Sequence, residues 1–181
     1  MSNLLGLEEE RAGTGEYDDV AIGPDPEAAA RARRGANWFY WIAGLSVVNS
    51  LAYVAGAKIQ FLGGLGVTAV ADAVIDVSIR QGAPAALRGV SVVFDLVAVI
   101  GFALAGYFAN KYVRTAFVIG IVVYAFDAVI VLLLGDYFMT LFHVWALYAL
   151  IRGYLACREV KADLVANAAI STPPPPPPAI A

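Results

Sequence analysis

Between Ala36 and Cys157 the chain is a nearly unbroken series of apolar stretches, separated by short gaps that hold most of its interior charges. A soluble domain of comparable size keeps about 30 % of its extended-chain surface in water. This chain of 181 residues is 60 % hydrophobic and 15 % charged, with a mean hydropathy of +0.71, so it has too little polar surface to cover such an exterior. The solvent facing it is therefore lipid. The net charge of −3 conceals an asymmetry, because Glu8, Glu9, Glu10, Glu16, Asp18, Asp19, Asp25 and Glu27, eight of the fifteen acids, precede the apolar region. No basic surface for nucleic acid is present. The single cysteine, Cys157, excludes an internal disulfide and a Cys-rich metal site.

Hydropathy predicts membrane helices over residues 36–57, 90–109, 115–134 and 139–157. Each is close to the ~20 residues that cross the hydrocarbon core, and Trp38, Trp41, Tyr107, Tyr112, Tyr137 and Tyr154 border them as interfacial anchors. Residues 60–79 read differently. Gly63, Gly64 and Gly66 disrupt the start, and the regular part, 67–79, is only ~20 Å long. Thr68, Asp72, Asp76 and Arg80 recur every fourth residue on one face, with Val67, Val70, Val74 and Val77 on another. That is the pattern of an interfacial or re-entrant amphipathic helix. The expected fold is an all-α integral membrane protein of four transmembrane helices plus one short amphipathic or re-entrant helix, with disordered tails.

Charge in the loops sets the expected orientation. With four spans and a cytoplasmic amino terminus, Arg31, Arg33, Arg34, Lys111, Arg114, Arg152, Arg158 and Lys161 lie inside, against Lys58, Arg80 and Arg88 outside. With five spans the same residues divide almost evenly and the bias vanishes. The expected organisation is a disordered acidic cytoplasmic tail over 1–35, a helical bundle over 36–157 and a cytoplasmic Pro-rich tail over 158–181, in a bacterial inner membrane. The amino terminus does not read as a cleavable signal peptide, because it runs at once into acids. Leu4, Leu5 and Leu7 suggest a short docking helix, which Gly6, Gly13 and Gly15 oppose. Pro173 to Pro178 favour a polyproline II rod, serving as a stiff solvated tail or a partner ligand.

The functional clue is a layer of polar residues. Asp95, Asp127, His143 and Asn49 fall ~8–12 Å below one membrane surface by helical rise, and Asp72 and Asp76 stand nearby on the amphipathic stripe. An ionised group at the centre of a membrane helix costs about 3 kcal/mol or more, so these residues should converge inside the bundle. On the 90–109 helix Ser91, Asp95, Ala98 and Phe102 share a face, and Gly101, Ala105 and Ala109 form a small-residue ridge. Gly120, Tyr124, Asp127 and Val131 share a stripe on the 115–134 helix, and His143, Leu147 and Ile151 on the 139–157 helix. Arg152 points to the opposite side, either to snorkel to the inner surface or to meet Tyr148 four residues earlier.

Three chemistries fit such a layer. Burial penalises the charge on either Asp127 or His143, whereas pairing favours both, so the two could exchange a proton or simply staple two helices. Asp95, Asp127 and His143 are candidate ligands for a hard cation or zinc, although no metal-binding spacing supports them. Ser91, Asp127 and His143 have the residue types of a lipid hydrolase triad but lack a nucleophile turn. Three functions follow: a protein that handles protons or a cation, an accessory or scaffolding subunit of a membrane complex, and, third, a membrane-embedded lipid hydrolase. The expected partners are the bilayer and other membrane subunits or further copies of the chain. No motif specifies a cofactor.

Overall fold

The computed structural model describes residues 23–55 and 65–171. Leu4, Leu5, Leu7, Gly63, Gly64 and the prolines from Pro173 to Pro178 lie outside them. Five α-helices follow in order: α1 (Pro26–Val54), α2 (Gly66–Arg80), α3 (Leu87–Asn110), α4 (Arg114–Leu133) and α5 (Tyr137–Ser171). The described residues contain no strand. Three of these helices, α3, α4 and α5, are long and apolar enough to cross a membrane. Their outward faces carry exposed side chains such as Val93, Val97, Val122, Phe126, Leu141 and Trp145, while Asp95, Asp127 and His143 are buried. That is the reverse of a water-soluble protein. α1 has the length but not the average apolarity, because Asn37, Ser46, Asn49 and Ser50 dilute it.

The long helices alternate in direction around a four-membered ring. α1 runs antiparallel to α3, from Asn37 beside Asn110 to Ser50 beside Asp95. It is also antiparallel to α5, from Arg31 beside Glu159 to Gly35 against Gly153. α4 packs on α3 and α5 from the opposite corner. Phe39 of α1 crosses the axis to reach Phe102 and Phe117, and Gly120 leaves the space its ring occupies. The small-residue contact on α3 is at Gly106, against Phe39 and Tyr40, while Gly101 faces open space. Of the expected ridge, Ala109 is buried and Ala105 packs against the core, so only Gly101 lies off the contact face. Likewise the buried face of α5 is His143, Ala146, Leu150, Gly153 and Cys157, which leaves Ile151 exposed.

α2 fills the remaining gap. Its first turn is wedged between α1 and α4, where Leu65 N–H donates to Ser46 Oγ at 3.2 Å and Gly66 meets Val131 so closely that no Cβ fits. The helix then climbs α3, with Asp72 on Ser91 and Asp76 reaching Arg88 at 3.5 Å. It ends at Gly82, whose φ of 101° lets Ala83 N–H bond back to Ser78 O and stops the helix. Its polar stripe thus faces the bundle, and Val74 and Val77 are exposed. α2 begins level with Ser46 and finishes at the end of the bundle where α1 also finishes and α5 starts.

The outer helices extend further than hydropathy predicts. α1 starts at Pro26, inside the stretch expected to be an unstructured tail, and α5 runs past Cys157 to Ser171. Asp25 caps α1 by accepting Glu27 N–H at 3.0 Å and Ala28 N–H at 3.1 Å, with proline at the first helical position. Ala28, Ala32 and Ala36 are buried, as are Ala156, Cys157 and Val160, and Arg31 bonds Glu159 at 2.8 Å. These small side chains let the two backbones approach and form a stalk beyond the α3–α4 turn. A hydropathy window averages their charged outer faces with this apolar seam and misses it.

Candidate functional site

The amide end of α2 has no cap of its own: Leu65 makes no capping bond through its side chain. The first turn of a helix leaves unpaired N–H groups that are costly to bury. α4 supplies the acceptor. Gly66 N–H donates to Asp127 Oδ2 at 2.8 Å and Val67 N–H to Oδ1 at 2.7 Å. The carboxylate therefore sits at the positive end of a helix 60 residues away in the chain.

Asp127 has a third partner. His143 Nε2 lies 2.9 Å from Oδ2, with Asp127 2 % and His143 0 % exposed. His143 Nδ1 is 2.8 Å from the Met139 carbonyl, which can only accept, so Nδ1 carries a hydrogen. The bond between Nε2 and Oδ2 then needs one further proton, held either by the imidazole or by the carboxyl. Tyr124 stacks on the imidazole at 4.7 Å and 12°. Its hydroxyl is buried without a hydrogen-bond partner. The expected pairing of Asp127 with His143 is present, built from α4 and α5.

The other predicted residues form a second group nearer the end where α2 finishes. Asp95 accepts Ser50 Oγ–H at 2.5 Å, and Ser91 donates to Asp72. Burial raises the Asp72 carboxyl above its ordinary range; the Ser91 bond opposes the rise, while the charges of Asp95 and Asp76 add to it. Asp76 pairs with Arg80 and Arg88 at the rim. Asn49 lies next to Ser50 on α1, and its side-chain oxygen is buried without a donor. No hydrogen bond joins Asp95 to Asp127 or His143. Among the described residues, no three His, Cys, Asp or Glu side chains group as a metal site. Ser91 bonds Asp72, and both nitrogens of His143 are occupied, so the three residue types of a hydrolase triad do not assemble.

Sequence reasoning missed Ser46 and Ser50, and it placed Thr68 only on the polar stripe of α2. Ser46 donates to Ile42 O at 2.9 Å while receiving Leu65 N–H, and Thr68 donates to Leu65 O at 2.8 Å. A signal for the first two was available, since Ser46, Asn49 and Ser50 recur at helical spacing within an apolar stretch. Arg152 does meet Tyr148, donating to its hydroxyl at 3.1 Å. No protein family, curated protein or solved structure matches the chain, so its function has to be argued from this geometry.

Proposed function

We propose that the chain is a four-span protein of the bacterial inner membrane that handles a proton at Asp127 and His143, with α2 as the element that responds. In this reading α1, α3, α4 and α5 cross, both termini are cytoplasmic, and α2 dips in from the outer side. Support for α1 as a span comes from its faces. Ser46 and the bond from Ser50 point inward, whereas Trp41, Val47, Val48 and Leu51 are exposed. Average hydropathy undervalues a helix of that kind.

The observation that carries the proposal is the shared carboxylate: Asp127 bonds His143 and the amide end of α2 at once. With one proton between Nε2 and Oδ2, all of these bonds close. Removing the proton sets two lone pairs against each other and repels the imidazole. Adding a second puts two hydrogens into one gap and cancels the negative charge that the α2 amides face. Docking of α2 therefore depends on proton count.

The test is full-length protein in liposomes loaded with a pH-sensitive dye. Wild-type protein should dissipate an imposed pH gradient, and Asp127→Asn and His143→Gln should return the rate to that of empty vesicles. A wild-type rate equal to empty vesicles rejects proton conduction. One observation favours a second reading, an accessory subunit without chemistry: every polar atom of the pair already has a partner. That reading requires companion membrane proteins to co-purify and to be lost when exposed outer-face residues such as Val122 and Phe126 are made polar.

A further inference from the structure

The Asp72 and Asp95 group has an electrostatic problem that the Asp127 pair does not. Asp95 is 4 % exposed, and its charge acts on Asp72. Among the described residues neither carboxylate meets a Lys or Arg, since Arg80 and Arg88 both turn to Asp76. Two neighbouring carboxylates in a low dielectric need a counter-charge or a proton.

The hydrogen-bond pattern favours a cation. Asp95 Oδ2 is taken by Ser50, but Oδ1 is buried with no donor. Ser50 and Ser91 spend their single hydroxyl hydrogens on Asp95 and Asp72, so what remains on each hydroxyl is lone pairs. A proton satisfies one oxygen; a buried unsatisfied carboxylate oxygen, two hydroxyl oxygens left as acceptors and two negative charges match a divalent ion. With only oxygen donors in reach, that ion belongs to the hard class, and the flexible coordination of calcium suits a set drawn from three helices better than the strict octahedron of magnesium.

We propose that Asp72 and Asp95, with the hydroxyl oxygens of Ser50 and Ser91, bind a divalent hard cation of the calcium type, which ties α2 to α1 and α3. This site is separate from the Asp127–His143 pair and does not depend on the proton reading.

The experiment uses the full chain in detergent, stripped with EDTA, exchanged into chelator-free buffer and titrated with CaCl2 while thermal unfolding is followed. The wild-type midpoint should rise by about 5 °C at a hundredfold excess over the dissociation constant, and NaCl at matched ionic strength should have no such effect. Asp72→Asn and Asp95→Asn should each abolish the rise. Both should remain folded in EDTA with a midpoint no lower than wild type, because the repulsion is gone. Asp127→Asn should keep the calcium response, which separates this site from the proton site. Infrared difference spectra of the wild type with and without CaCl2 should show a change in the carboxylate bands, a readout that needs no variant. An unchanged spectrum, an equal response to NaCl, or a calcium shift that survives in both Asn variants overturns the proposal.

Discussion

Asp127 is a single side chain with two structural debts to meet, the orphan amides of α2 and the imidazole of His143, and each can be removed separately by substitution. In Asp127→Asn the side-chain oxygen still accepts one amide, so the bundle should fold with a loss of about 1–3 kcal/mol. Asp127→Leu leaves both amides and the imidazole unpaired and should cost more than Asn, with α2 undocked. Denaturant unfolding in detergent, together with proteolysis at α2, checks both. Tyr124 predicts the opposite sign. Its hydroxyl is buried without a partner, so Tyr124→Phe should be neutral or stabilising by up to about 1 kcal/mol while the stack on His143 persists. Equal destabilisation of Tyr124→Phe and Asp127→Asn would mean that the hydroxyl has a partner in the membrane. Asp127 and His143 could be singled out in the sequence because ionisable residues are rare in apolar helices. Their link to α2 could not, because a cap supplied by another helix has no fixed spacing along the chain.

At the level of elements, a short helix near α2 was legible in the sequence, with Thr68, Asp72 and Asp76 repeating at helical spacing on one of its faces. Which side that stripe faces was not legible. A polar face toward water and a polar face toward a bundle have the same period, and only the serines on α1 and α3 decide between them. The stalk was missed for a related reason: apart from Cys157 and Val160 its seam is alanine and glycine, which carry little hydropathy yet permit close approach. The glycines make this testable. Gly35 and Gly153 meet backbone to backbone, so Gly153→Leu should separate α1 from α5 and destabilise the protein by about 3 kcal/mol or more. Gly101 has open space where a Cβ would go, and Gly101→Ala should stabilise α3 by about 0.5–1 kcal/mol through helix propensity alone. Thermal unfolding of the two variants side by side checks the contrast, and a comparable loss in both would mean that the outer face of α3 is covered by a partner.

For the whole molecule, the topological question reduces to where α2 starts and finishes. Antiparallel pairing puts the end of α1, the start of α3 and the α4–α5 turn at one end of the bundle. If α1 and α3 both cross, the chain between them must return to the side it left, and a 15-residue helix, ~22 Å long, is too short to span the ~30 Å hydrocarbon core. The same arrangement collects Lys111, Arg114, Arg158 and Lys161 at the opposite end with Arg33 and Arg34, the end that the proposed orientation makes cytoplasmic. Single cysteines test it after Cys157→Ala, at Gln81, Asp136 and Ser171, probed in right-side-out vesicles with a membrane-impermeant maleimide. Gln81 and Asp136 should react from outside, and Ser171 only after the membrane is permeabilised. Labelling of Gln81 together with Ser171 would make α2 a true span and put its valine face across the bilayer. Asp136 and Ser171 reacting from the same side would remove α5 from the set of spans, and with it the buried position of His143 on which the proton reading stands.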